Sequence, residues 1–396
     1  MNQISSHFGQ TPAVSSGQRD LRLDFFRGLA LIFIFLDHIP SNVMNWLTIR
    51  NFGFSDAAEA FVFMSGYSAV LAYRRRMESD GFFFTAARIW KRSWQLYVAQ
   101  MLLFMAYTVQ IAYTASKFKN PSFNSEMGII TFFDAPLTTL FQAMLLKFRP
   151  ANMDILPLYI VLLTVFPLIL LGLRRRPRLV LGISIAIYAA ANLGNWNFAA
   201  WPSGVWVFNP LTWQLIFVIG ALMATGTLRM IWLERLKWPV AVLSILYLVA
   251  ALFIVMTWQF PLLESLLPKW LFPLIYPINK TNLDPLRLFH FLALAYLVVL
   301  AVPEDRQFLR SRIALPLVRS GQAPLEVFCV GIFLSFTGHL FLVEISSTVI
   351  AQIAVSLAGI AIMIGFAFYL SWYRQAEKSA ARGRMAPPSI LTRRPV

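Results

Sequence analysis

Arg27 and His38 stand eleven residues apart at the two ends of a nearly unbroken apolar run. In a helix that spacing is three turns plus roughly 20°, so both side chains share one face, about 16 Å apart along the axis. Asp24 lies three residues before Arg27 and is placed to pair with it, while Asp37 directly precedes His38. A second apolar run opens with Ser55-Asp56-Ala57-Ala58-Glu59, whose two carboxylates share a helix face at i, i+3. Asp154, Arg287 with His290, and His339 stand at the ends of further apolar runs. A histidine beside carboxylates suits general-base work, because a carboxylate fixes the imidazole tautomer and stabilises the imidazolium that forms. A sugar hydroxyl is a poor nucleophile until such a base takes its proton. Taken singly, Arg27 could snorkel to headgroups and His38 could be an interfacial polar group. Their shared face argues against both.

The elements that must position these groups are membrane spans. Of the 396 residues, 58% are hydrophobic, 15% aromatic and only 13% charged, with a mean hydropathy of +0.64. A soluble domain of this length needs more polar surface. The hydrocarbon core is about 30 Å thick and takes roughly 20 apolar residues per helix. The runs predict an all-α, polytopic protein of about ten transmembrane helices. They fall near 22–40, 54–73, 88–113, 153–173, 179–194, 210–227, 239–259, 287–302, 322–343 and 346–373. Residues 1–18, rich in Ser, Gln and Gly, are expected to form a disordered cytoplasmic tail without a cleavable signal peptide. Residues 19–373 form the transmembrane domain and 374–396 a basic cytoplasmic tail.

Orientation follows from the basic residues. With both termini inside, 25 of the 34 Lys and Arg fall on the cytoplasmic side, eight on the outer side and Arg27 within the first span. That bias accounts for the net charge of +16 and makes nucleic-acid binding a poor explanation of it. The same topology gathers Asp37, His38, Asp56, Glu59, Asp154, Arg287, His290 and His339 into one layer of the outer leaflet. Charges at membrane depth are costly, so the set reads as a polar cavity. Trp196, Trp201 and Trp206 lie in an outer connection, either as an interfacial belt or as a stacking surface for sugars. Four His and one Cys, scattered, do not make a metal-site pattern.

The ordered series Leu23-Asp24-Phe25-Phe26-Arg27-Gly28, Asp37-His38-Ile39-Pro40, Ser55 to Phe63 and Met153-Asp154-Ile155-Leu156-Pro157-Leu158-Tyr159 resembles one known family. Arg287 to Phe291 and Leu325 to Cys329 extend the match into the ninth span. It is the OpgC family, within the acyltransferase family three superfamily of membrane acyltransferases. The Arg27-x10-His38 spacing and Phe61-Val62-Phe63-Met64-Ser65-Gly66-Tyr67 resemble that superfamily's first- and second-helix motifs. The resemblance implies a bacterial inner-membrane enzyme that succinylates osmoregulated periplasmic glucans.

The expected function is transfer of an acyl group, succinyl by resemblance, from cytosolic acyl-CoA to a hydroxyl of a periplasmic glucan or another envelope glycan. His38 serves as base or acyl acceptor, with Asp37, Asp56 and Glu59 around it. Arg27, Arg74, Arg75 and Arg76 are expected to hold the CoA phosphates, whose geometry guanidinium groups match. For the triplet, positive-inside topology is the competing explanation. Acyl-CoA is a co-substrate, with no permanently bound cofactor and no metal. Asp154, Arg287, His290, His339 and the three tryptophans are expected to bind substrate. A succinyl carboxylate buried beside His38 would need a cation, and Arg287 is expected to supply it. The partners are acyl-CoA, the glycan and the bilayer, and the sequence admits a homodimer. A membrane transporter or flippase for a glycan or an anionic small molecule is the main alternative, and a non-enzymatic glycan-export scaffold the lesser one. Gly/Pro-broken helix pairs in matched halves, which a transporter would favour, are not evident.

Overall fold

The computed structural model describes residues 20–226, 236–265, 267–303 and 307–385. The expected tail 1–18 and the basic residues Arg19, Arg229, Arg235, Arg306, Arg393 and Arg394 lie outside them. Among the described residues the architecture is all-α, with an isolated bridge between Ala199 and Val205 as the only β pairing.

The main helices are α1 (Leu21–Asp37), α2 (Ala57–Ser79), α3 (Gly81–Lys117) and α4 (Ile155–Arg175). They are followed by α5 (Pro177–Leu193), α6 (Pro210–Thr225), α7 (Lys237–Gln259) and α8 (Pro285–Ala301). The series ends with α9 (Leu315–Gln322), α10 (Pro324–Glu344) and α11 (Val349–Met385). Each expected span falls on one of these helices. Five of them, α3, α4, α7, α10 and α11, are long and apolar enough to cross a membrane, and α5, α6 and α8 are shorter apolar helices. The chain is thus a membrane protein. α1 has 17 residues, about 26 Å of rise, and carries Asp24 and Arg27. It tolerates them because it is wrapped by other helices, with Asp24 buried.

α9 is absent from the sequence expectation, which placed a loop before a span beginning at 322. Pro324 explains it. Proline lacks an N–H and restricts the residue before it, so the helix breaks at Ala323 (φ −129°, ψ 55°) and restarts with Pro324 in its first turn. At the other extreme, α3 and α11 run well past the expected bounds, to 37 residues each.

Helix starts carry their own chemistry. Asp20 accepts from the N–H groups of Arg22 and Leu23 at 2.9 and 3.2 Å, capping α1. At α2 the cap is reciprocal: Asp56 Oδ1 accepts from Ala58 N–H at 2.8 Å, and Glu59 Oε2 accepts from Asp56 N–H at 2.9 Å. Asn209 and Asp284 cap α6 and α8 in the simpler way.

Two close crossings hold the frame together. On α1 and α9, a Cβ on Gly28 would overlap the Leu317 carbonyl oxygen, and one on Gly321 would overlap that of Asp24. On α2 and α6, Gly66 and Gly220 face the carbonyls of Phe217 and Phe63 in the same reciprocal way. Small residues let membrane helices approach closely enough for packing to hold them without a water-driven force. Gly66→Ala is therefore expected to lower stability by about 1–3 kcal/mol, the usual cost of overpacking. Thermal unfolding of the purified protein in detergent checks this, and an unchanged midpoint would show that α2 and α6 separate at no cost.

Candidate active site

The end of α1, the start of α2 and the start of α4 meet around a cavity of about 110 Å³. Asp37, His38, Asp56 and Asp154 line it, as the sequence anticipates. Arg50, Asn152 and Lys280 line it too, with Ile34, Ile155 and Phe208 among the apolar walls. Because α1 reaches the cavity by its C-terminus and α2 and α4 by their N-termini, α1 runs opposite to both.

His38 is the C-cap of α1, its N–H bonded to the Ile34 carbonyl at 3.1 Å. Its Nδ1 is buried and has no hydrogen-bond partner among the described residues. A buried polar atom left without a partner sets His38 apart from the satisfied polar groups around it. None of the expected carboxylates is hydrogen-bonded to it. Asp37 Oδ1 instead accepts from the Thr48 hydroxyl at 2.7 Å. Asp56 Oδ2 accepts from Lys280 Nζ at 2.6 Å and from Arg287 Nη2 at 3.2 Å. Asp154 Oδ1 accepts from Arg149 Nε at 2.9 Å, and the Arg149 guanidinium lies 4.5 Å from the centre of the Trp206 ring. The carboxylates shape the charge of the cavity rather than the tautomer of His38.

Several expected members stand outside the cavity, for identifiable reasons. Glu59 is 0% exposed and sits behind Asp56, accepting from Arg287 Nε at 2.8 Å. The Arg287 guanidinium is thereby spent on Glu59 and Asp56, so it is not the unpaired cation that the succinyl expectation requires. His290 Nδ1 lies 2.7 Å from the Ser55 hydroxyl, and its ring fills the space beside Gly53, where a Cβ would collide with it. It fixes the turn leading into α2. His339 pairs with Glu126 at 2.8 Å, packs edge-on to Phe123 and does not line the cavity. Trp206 is 4% exposed with its face covered by Arg149, which leaves no ring for a sugar. Trp201 is half-buried against the core, and Trp196, at 62%, is exposed.

Arg27 is packed between helices: it donates to the Ser68 hydroxyl and to the Gly321 carbonyl, and pairs with Asp24 at 3.8 Å. It lies seven residues from Ile34, so the two share a face, with Arg27 about 10 Å deeper. Arg74 donates to the Thr225 carbonyl at 3.0 Å, and Arg75 and Arg76 are exposed beside it.

Sequence reasoning missed Arg50 and Lys280 as cavity residues. Both sit in connections, where an argument from helix depth has no purchase. The nearest signal is the Asp284 cap, which marks the turn after Lys280. Trp213 Nε1 donates to the Lys280 and Thr281 carbonyls at 3.2 and 3.1 Å, so that turn is anchored to α6.

No curated protein and no solved structure matches the chain. One family does, and it covers residues 19–375, from the start of α1 through most of α11 and every cavity residue between. The expectation raised by the Arg27–His38 spacing and the aspartate series is met: the chain belongs to the OpgC protein family.

Proposed function

We propose that the chain transfers an acyl group, succinyl in preference to others, from acyl-CoA to a hydroxyl of a periplasmic glucan. Family membership suggests a glucan-modifying acyltransferase in general. The observation that carries the finer reading is His38 itself, which lines a cavity built from acids and bases and whose Nδ1 has no partner among the described residues. His38 takes the proton of the acceptor hydroxyl. That oxygen attacks the thioester carbonyl, the C–S bond breaks, and the CoA thiolate leaves with the proton that His38 returns.

The two ends of α2 suit two substrates. Its N-terminus is at the cavity, while Arg74, Arg75 and Arg76 lie about 26 Å away along the axis, close to the hydrocarbon thickness of about 30 Å. We place the ten spans in an inner membrane with both termini inside, so that the arginine triplet meets the phosphates of cytosolic CoA. Arg27, one face with Ile34, lies on the way between. Trp196, with its ring exposed, is the acceptor-side aromatic that a sugar can stack on.

The test is transfer from radiolabelled succinyl-CoA to a neutral glucan by the purified protein in nanodiscs, with the product identified by mass spectrometry. Absence of labelled glucan, together with glucan movement across proteoliposomes, would favour a transporter instead. His339→Ala is expected to keep its rate within about threefold of wild type, less than 1 kcal/mol of barrier. A loss of a hundredfold would bring His339 back to the reaction.

A further inference from the structure

We propose that Arg50 recognises an anionic substituent of the substrate and so decides which acyl group or acceptor the cavity accepts; this rests on the acyltransferase reading above. The charges in and behind the cavity pair off except for one cation, Arg50, and one acid, Asp37. Asp154 is held by Arg149, Asp56 by Lys280 and Arg287, and Glu59 by Arg287. Among the described residues the Arg50 guanidinium makes neither an ion pair nor a hydrogen bond, although it lines the cavity with His38. Asp37, the one acid without a basic partner among them, is engaged by the Thr48 hydroxyl at 2.7 Å.

The chain around Arg50 is fastened, which separates it from an ordinary surface arginine. Thr48 ties the turn to α1 through Asp37, and the Asn51 side chain donates to the Asn45 carbonyl at 2.8 Å. Further along the same loop, Asn42 donates to Ser356 at 2.8 Å and Val43 N–H to Gln352 at 2.7 Å, so α11 holds its other end. A cation kept in place without a partner is preorganised for an anion from outside. Its fork of donors fits a carboxylate or phosphate bidentately. Arg50 is exposed, so its hydration offsets the lack of a partner until a substrate displaces the water.

That anion has two sources: the free carboxylate of a dicarboxylic acyl donor, or an acidic substituent on the acceptor. Transfer by wild type and Arg50→Gln in nanodiscs separates them. One arm uses succinyl-CoA with a neutral glucan, a second acetyl-CoA with the same glucan, and a third acetyl-CoA with a glucan bearing acidic groups. We expect a loss of about 10- to 100-fold, the scale of one charge-assisted hydrogen-bonded contact, in the succinyl arm or in the acidic-glucan arm. The neutral pair should change little, and Arg50→Lys should recover part of the loss. Equal losses in every arm, or none in any, overturn the role of Arg50 while leaving acyl transfer standing. If folded wild-type protein transfers nothing from either donor, the acyltransferase reading itself falls and the role of Arg50 with it.

Discussion

Replacing His38 with alanine is expected to lower acyl transfer by about two orders of magnitude or more while leaving a folded protein, as befits loss of a general base. A hundredfold loss corresponds to about 2.7 kcal/mol of barrier. The separation of rate from stability follows from geometry. The Nδ1 atom of His38 has no partner among the described residues, so its removal breaks no hydrogen bond there and orphans no acceptor. The other two described histidines differ in kind: His290 holds Ser55, and His339 holds Glu126. Initial rates and thermal midpoints measured on one preparation decide the matter. Near-normal turnover in His38→Ala would remove the imidazole from the reaction, and a collapsed midpoint would make it structural.

Which helix ends meet is legible in this sequence, and direction around each helix is not. Apolar runs mark the spans, and the direction of each span places its first or last polar residue at one level. For Asp37, His38, Asp56 and Asp154 that sufficed, because a residue at the very end of a helix opens onto the space between helices. Glu59, Arg287 and His290 lie up to a turn further in, where the face they present depends on which helices are neighbours. Nothing in the sequence says that α2 packs on α6 and α1 on α9, since those crossings are set by glycines meeting carbonyls of residues far away in the chain. The pairs Lys280–Asp56 and Arg287–Glu59 are likewise 224 and 228 residues apart. With the spans alone, Arg287 looks like a free cation beside a histidine. With its partners in place it is the counter-ion of α2.

Arg287→Ala is expected to damage stability first and to reduce transfer from succinyl-CoA and acetyl-CoA alike. The guanidinium is buried, 2.6 Å from Glu59 Oε1 and 3.2 Å from Asp56 Oδ2. Removing it leaves Glu59, which is fully buried, without its cation. Breaking a buried pair by deleting one partner typically costs about 3–5 kcal/mol, because the remaining charge is uncompensated. Asp56 fares better, since Lys280 still reaches it at 2.6 Å. The asymmetry suggests a rescue. In Arg287→Met combined with Glu59→Met no orphan charge remains, and apolar side chains of similar length fill the space. The double variant should therefore be more stable than Arg287→Ala, although it gives up an ion pair. Thermal unfolding of the single and double variants reads the first effect, and rates with the two donors read the second. A stable Arg287→Ala protein that loses only succinyl transfer would reverse the assignment, making Arg287 the residue that meets the substrate carboxylate and Arg50 a bystander at the rim.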